Sequence, residues 1–430
     1  MFDYFMRRLA IPSSLRFPGH FCMTTLSVTV FVLAYVGMAL GRVPGLAIDR
    51  TGVALLGLIV LLAFGDLSLE EAGAAVDVPT IALLFALMIL SAQFDHSGFY
   101  GWIADQIVRA SRNPKLLLAS LIAVTGVLAA IFTNDVVVFA LAPLVVAGVA
   151  SQRLDPRPYL IGLAGAANAG SAATLIGNPQ NILIGQAGGL DFWRYLAFAL
   201  PPTMASLAIT FVAIVATWRI APGDGATPAD SRPPQIDRFQ FLKGMFAVAV
   251  LVALFLTPLP RELSALAVAG FLLMSRRLSS RTMIGAVDWQ LLLLFVCLFG
   301  VTAAFAKTGL AQQGMVWLTE RGLLPDRLSV LAPLTLAASN TIGNVPAVIL
   351  LVKLVPDLSE GALTALALLS TFAGNLLLTG SLCNIIVAER ASVSGVKLGF
   401  VDFARSGIPM TIASLAITIA WLWGIGLVPL

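Results

Sequence analysis

Charge is what this chain has least of. Only 11% of its 430 residues are Asp, Glu, Lys or Arg, less than half the share usual in a soluble globular domain. No polar stretch is longer than the segment Ala221–Arg238, so no soluble domain is built into the sequence. The three cysteines, Cys22, Cys297 and Cys383, stand far apart, and there are two histidines. Neither a disulfide framework nor a Cys/His metal centre has the residues it needs. There is no Walker sequence, no HExxH and no GxSxG, which argues against ATP-driven pumping and against the common hydrolase sites. An intramembrane enzyme is a poor fit. The apolar runs show no strict alternation, which excludes a transmembrane β-barrel.

What is present is hydrocarbon. Hydrophobic residues make up 59% of the chain and the mean hydropathy is +0.94. A helix needs roughly 17–25 apolar residues to cross a bilayer, and many runs approach or reach that length. The backbone must satisfy itself in lipid, so these runs are helices. The net charge of +4 sits in short loops, where it points to a membrane's cytoplasmic face and not to nucleic acid. Arg7 and Arg8 before the run Thr24–Leu40 imitate a signal peptide, but the run is long and reads as a retained first span. Placing the N-terminus outside leaves most of the Lys and Arg residues cytoplasmic, among them Arg109, Arg112, Arg153, Arg157, Arg276 and Arg277.

The chain repeats itself. Leu67, Ser68, Ala75, Val76 and Asp77 recur as Leu278, Ser279, Ala286, Val287 and Asp288, each 211 positions later, and Ala205–Thr210 recurs letter for letter as Ala413–Thr418. Matches in the same order indicate duplication. They divide the chain into a tail (1–23), a first repeat (24–219), a Pro/Asp/Gly-rich linker (220–238) and a second repeat (239–430). Each repeat offers three spans, an amphipathic stretch such as Phe99–Ala110, two apolar arms joined by a polar tip, an interrupted helix and a last span. If the arms form a re-entrant hairpin, each repeat crosses five times; if both cross, seven. Either count is odd, so the second repeat is inverted relative to the first.

Inverted repeats with broken helices in corresponding places mark a transporter's binding site. The first break is Gly177-Asn178-Pro179-Gln180-Asn181, within Tyr159–Ile184; its counterpart holds Gly380, Ser381, Cys383 and Asn384. Gly turns the backbone, Pro stops the helix, and amides supply donors and acceptors. Half-helix N-termini suit an anion and freed carbonyls a cation. The tips are Thr133-Asn134-Asp135 and Gly343-Asn344-Val345, the latter preceded by Ser339-Asn340-Thr341. An intramembrane carboxylate is functional by default, so Asp135 is the sharpest candidate, able to carry a proton or pair with Na⁺; the competing readings are a helix cap for the arm beginning at Val136 and a surface turn between two full crossings. Asn168 and Ser171, in the Gly/Ala-rich packing stretch Gly162–Ala173, face the same place. Asp95, His96 and Lys307 are weaker candidates, Cys383 reads as a small apolar filler, and Glu389-Arg390 reads as a structural pair at a helix end.

The segments FTNDVVVFALAPLVV (Phe132–Val146), ANAGSAATLIGNPQNILIG (Ala167–Gly185), SNTIGNVPA (Ser339–Ala347) and TGSLCNIIVAERA (Thr379–Ala391) resemble the ion transporter superfamily. The likeness is to its arsenite-permease and NhaD-type antiporter branch, with its "citrate transporter-like" bacterial permeases, related to divalent-anion/sodium symporters. The resemblance implies an all-α polytopic membrane protein of two inverted-topology repeats, about five spans each plus a re-entrant hairpin and a broken helix. It implies a homodimer in the bacterial inner membrane and elevator-type alternating access. Its scaffold would hold the 24–64 and 239–275 regions, and its mobile transport domain the 116–190 and 328–391 regions. Carried over by position, the site comprises Thr133, Asn134, Asp135, Thr174, Gly177, Asn178 and Asn181, with Ser339, Asn340, Thr341, Asn344, Gly380, Ser381 and Asn384. Ser-Asn-Thr stands at the second tip only, which weakens a two-sodium mechanism. The expectation is a transporter without cofactor that couples H⁺ or Na⁺ to a small anion or oxyacid in contact with membrane lipid. Arsenite/antimonite efflux and Na⁺/H⁺ antiport are alternatives within that class, and an ion channel lies outside it.

Overall fold

The computed structural model describes residues 19–40, 48–111, 113–220, 235–355 and 358–430. Most of the expected tail and linker lies outside these. Twenty α-helices and one short 3₁₀ turn make up the architecture among the described residues. In chain order they are α1 (Gly19–Leu40), α2 (Arg50–Ala63), α3 (Leu69–Ala75), α4 (Val78–His96), α5 (Phe99–Ala110), α6 (Pro114–Ile131), α7 (Asn134–Ser151), α8 (Pro156–Ser171), α9 (Pro179–Ala187) and α10 (Phe192–Thr217). There follow α11 (Arg238–Leu254), α12 (Arg261–Leu273), α13 (Ser280–Gly285), α14 (Trp289–Ala306), α15 (Leu310–Glu320), α16 (Leu328–Ile342), α17 (Asn344–Leu354), α18 (Glu360–Ala373), α19 (Leu382–Val393) and α20 (Phe400–Gly424).

Six of these, α4, α6, α7, α10, α14 and α20, are long and apolar enough to cross a membrane. With the shorter apolar helices they make this a polytopic membrane protein. The two pairs of arms differ in length. Helices α6 and α7 have 18 residues each, α16 has 15 and α17 only 11.

Polar residues in the apolar sequence mostly start helices. Asp49, Asp77, Asn113, Asp155, Asp191 and Asp237 each accept a backbone N–H from the first turn of the helix they precede, satisfying donors that the helix itself cannot. The same chemistry explains the repeated Leu-Ser…Ala-Val-Asp motif. Ser68 caps α3 by accepting from the Glu71 N–H, and Ser279 caps α13 by accepting from the Thr282 N–H. Asp77 and Asp288 cap α4 and α14 in the same way, at the third residue on. The sequence reading did not foresee the short helices α3 and α13, because at seven and six residues they carry no hydrophobic period.

The chain divides into two compact units, residues 1–76 with 293–317, and 77–292 with 318–430. In the first, α1 packs on α2, Phe31 stacks on Phe305 with centroids 4.0 Å apart, and Tyr35 shares a hydrogen bond with Thr302. In the second, α6 packs on α8, α4 on α12, α10 on α20 and α16 on α18, while α19 lies against both α7 and α8. Close approach of α6 and α8 is made possible by glycine. A Cβ on Gly170 would stand 2.2 Å from the Gly126 carbonyl oxygen, so any side chain there forces the helices apart. Every tip and break residue expected at the site lies in this second unit, and of the weaker candidates Lys307 lies in the first.

Candidate functional site

Both interrupted helices break where the sequence reading placed them, and both are repaired by the same device. Between α8 and α9, Asn178 accepts the Asn181 N–H at 2.8 Å and so caps α9. Asn181, fully buried, then donates from Nδ2 to the carbonyls of Thr174 (3.0 Å) and Ser171 (3.4 Å), seven and ten residues back. Between α18 and α19, Ser381 caps α19 through the Cys383 N–H. Asn384 Nδ2 donates to Leu377 O (3.0 Å) and Gly374 O (2.7 Å), again seven and ten residues back. A buried carbonyl without a partner costs about 1–3 kcal/mol, so each asparagine removes a large local penalty. Each of these four freed carbonyls accepts an amide N–H from its own repeat.

The two breaks are also tied to one another. Asn168, on α8, accepts from Asn134 Nδ2 and Ser381 Oγ, both at 3.1 Å. It donates to Asn375 Oδ1 (2.8 Å) and Asn384 Oδ1 (2.9 Å), so all four hydrogen-bonding capacities of a buried amide are used. Thr371, on α18, stands opposite: its hydroxyl accepts from Asn178 Nδ2 (3.1 Å) and donates to Asn181 Oδ1 (3.4 Å). Thus a residue of α8 holds the break before α19, and a residue of α18 holds the break before α9. Ser171 is drawn in through Asn178, and the Thr174 hydroxyl ends on Ala130 O in α6. Gly177 and Gly380 leave no room for a side chain: a Cβ would stand 2.3 Å from Ser171 O and 2.5 Å from Asn340 Oδ1 respectively.

The tips dock on the breaks. At the first, the Asn134 N–H donates to Gly177 O at 2.9 Å. At the second, Asn340 Nδ2 donates to Ala373 O at 2.9 Å. Asn134 and Asn344 both open the second arm of their pair. The turns differ in kind. Phe132 and Thr133 are extended, whereas Gly343 takes φ 94°, ψ 156°, a conformation reserved for glycine. Four oxygens here are buried without a hydrogen-bond partner: Thr133 Oγ1, Ser339 Oγ, Asn340 Oδ1 and Asn344 Oδ1. Oxygens of this kind, one at the first tip and three at the second, are the donors a hard cation prefers. Thr341 does not join them, since its exposed side chain bonds back to Ala337 O and Ala338 O.

Asp135 lies in the first turn of α7, half-buried. The capping reading fails, because no backbone N–H is bonded to its side chain. Its carboxylate has no hydrogen bond or ion pair among the described residues, and it lies within electrostatic range of the Asp288 carboxylate and the Cys383 thiol. The positive end of α7 is the favourable place for such a charge.

The remaining candidates sort plainly. Lys307 pairs with exposed Glu71, and this hydrogen bond, with the Ser68 N–H, lowers the Glu71 carboxyl to about 2; that is a surface contact. Asp95 is exposed and His96 half-buried, and neither adjoins the breaks. Cys383 is fully buried within the second break. Glu389 and Arg390 do not pair, because consecutive helical residues point about 100° apart; Glu389 is exposed and Arg390 stacks on Phe139. The sequence reading missed Thr371, Asn375 and Tyr195, whose hydroxyl bonds both Asn181 and Ala172 O. It also missed Asp66, a buried carboxylate in the first unit held by Ser27.

A family model described as "Citrate transporter" (CitMHS) matches residues 30–368. The silicon efflux transporter LSI3 of Oryza sativa subsp. japonica is 28% identical, over 88% of this chain and 93% of its own. The inner membrane protein YbiR of Escherichia coli (strain K12) is 29% identical, over 74% of this chain and 81% of its own. Among solved structures, the YdaH transporter of Alcanivorax borkumensis superimposes with a TM-score of 0.57 at 16% identity, covering 95% of this chain and all of that one. At that identity the likeness is one of fold.

Proposed function

The chain belongs to the citrate-transporter family, and from that membership we propose that it is a cation-coupled secondary active transporter of a small anion or oxyacid. The proposal places it in the bacterial inner membrane as a homodimer, drawing H⁺ or Na⁺ as coupling ion and working by an elevator motion of two inverted repeats.

One observation carries most of this reading, the reciprocal bonding of the two breaks. Asn181 and Asn384 bond carbonyls at identical separations, and Asn168 and Thr371 each reach across to the other break. Such exchange follows when two copies of one unit are related by an approximate twofold axis. The repeated Ala-Ser-Leu-Ala-Ile-Thr segments support it: Ser206 bonds Ser414 at 2.9 Å, and a residue that touches its own counterpart lies on such an axis. With an odd number of crossings per repeat, that axis lies in the membrane plane. Helix α17 rises only about 16 Å against a hydrocarbon core of about 30 Å, which favours a re-entrant second hairpin. The unpartnered tip oxygens and Asp135 are where the cation would bind. Binding there would couple tip docking to substrate occupancy.

A citrate-transporter family model and a relative named a silicon efflux transporter support the substrate class of this reading. Na⁺/H⁺ exchange is a second reading, supported by the Asp288 carboxylate within electrostatic range of Asp135. Purified protein in proteoliposomes, under an imposed ΔpH or ΔNa⁺, is to be offered citrate, dicarboxylates, silicic acid and arsenite. Accumulation of one of them that collapses with an ionophore is the expected result. Cation exchange with no solute flux moves the protein to the second reading, and dissipative flux insensitive to either gradient contradicts coupling.

A further inference from the structure

Arg390 is a cation that the fold holds but does not use. It lies on α19, with its guanidinium carbon 4.0 Å from the centre of the Phe139 ring on α7. Its Nε is buried without a hydrogen-bond partner, and no carboxylate lies within ion-pair distance among the described residues. Structural arginines elsewhere in the molecule end differently: Arg109, Arg157, Arg194 and Arg277 end on carboxylates, and Arg261 on a carbonyl. Stacking on an aromatic face fixes the guanidinium plane and leaves its in-plane donors, the fork that recognises a carboxylate, directed away from the ring.

Its place relative to Asp135 gives this meaning. Phe139 is one turn after Asp135 on α7, and the two residues share a helix face. Cys383, within electrostatic range of Asp135, is two turns before Arg390 on α19. Helices α7 and α19 are packed together. They therefore present two rungs, Asp135 with Cys383 and Phe139 with Arg390. A negative and a positive side chain stand on neighbouring rungs, both accessible in part, and neither neutralises the other. Partly buried charges without a partner are costly unless something completes them.

We propose that Arg390 binds the anionic group of the transported solute, so that this chain selects a carboxylate-bearing acid over uncharged hydroxy acids such as silicic or arsenous acid. The inference rests on the transporter reading above and narrows its substrate class. Asp135 and the tip oxygens take the cation, and Arg390, on its aromatic platform, takes the carboxylate.

The test is transport by wild type, Arg390→Gln and Arg390→Lys in proteoliposomes, with citrate, succinate, silicic acid and arsenite as separate solutes. Thermal unfolding in detergent serves as the check on folding. Wild type is expected to move a carboxylate and to leave the uncharged acids behind. Arg390→Gln raises KM for that carboxylate about 10- to 100-fold, the worth of one charge-assisted fork. Arg390→Lys, which keeps the charge and loses the fork, raises it several-fold. An unchanged KM in either folded variant overturns the inference. So does a wild type that moves only uncharged acids, although the transporter reading then stands. A wild type that moves no solute overturns both.

Discussion

At the scale of single residues, Asn168 carries more of the site than its place in a Gly/Ala-rich helix suggests. Its amide joins the first tip, the second break and Asn375, with all four of its hydrogen-bonding capacities used. Asn168→Ala leaves several buried polar groups unpaired at about 1–3 kcal/mol each, so a loss of at least ~3 kcal/mol is expected in detergent unfolding. Thr371→Val, which removes one hydroxyl, should cost far less. Equal costs would contradict the ranking. Asn168 was legible in the sequence because an amide in a run of Gly and Ala stands out. Thr371 and Asn375 were not, since a lone Thr or Asn in an apolar helix has no pattern around it. The signal that could have found Thr371 is the repeat itself, for it occupies the position equivalent to Asn168.

At the scale of elements, the breaks and tips were readable because Gly, Pro and Asn punctuate helices by known stereochemistry. Asn178-Pro179 starts α9 as Asn113-Pro114 starts α6, the difference being that Asn178 is wholly buried. What could not be read was where the freed carbonyls go, because the sequence does not reveal that Asn181 and Asn384 turn back upon them. The two tips also proved unlike. Only the second depends on a left-handed glycine, so Gly343→Ala should cost about 1–3 kcal/mol in strain and should impair transport more than stability, since it misplaces Ser339, Asn340 and Asn344 together. The check is flux measured beside thermal unfolding. Flux at the wild-type rate would mean that the second tip does not take part.

At the scale of the whole molecule, composition was enough to make this a polytopic membrane protein, and family membership makes it a transporter. The duplicated Leu-Ser…Asp motif, which first revealed the repeat, marks helix caps and not the site; its recurrence reflects shared folding chemistry. The central claim is that a cation held near Asp135 couples its gradient to solute movement. Coupling and translocation can be separated in one measurement, made on Asp135→Asn in proteoliposomes. Solute-for-solute counterflow reports the carrier's motion, and uphill accumulation driven by ΔpH or ΔNa⁺ reports coupling. The account predicts that counterflow persists while accumulation falls at least ~10-fold, as expected when an intramembrane ion site is neutralised. Accumulation at the wild-type level in Asp135→Asn would contradict it.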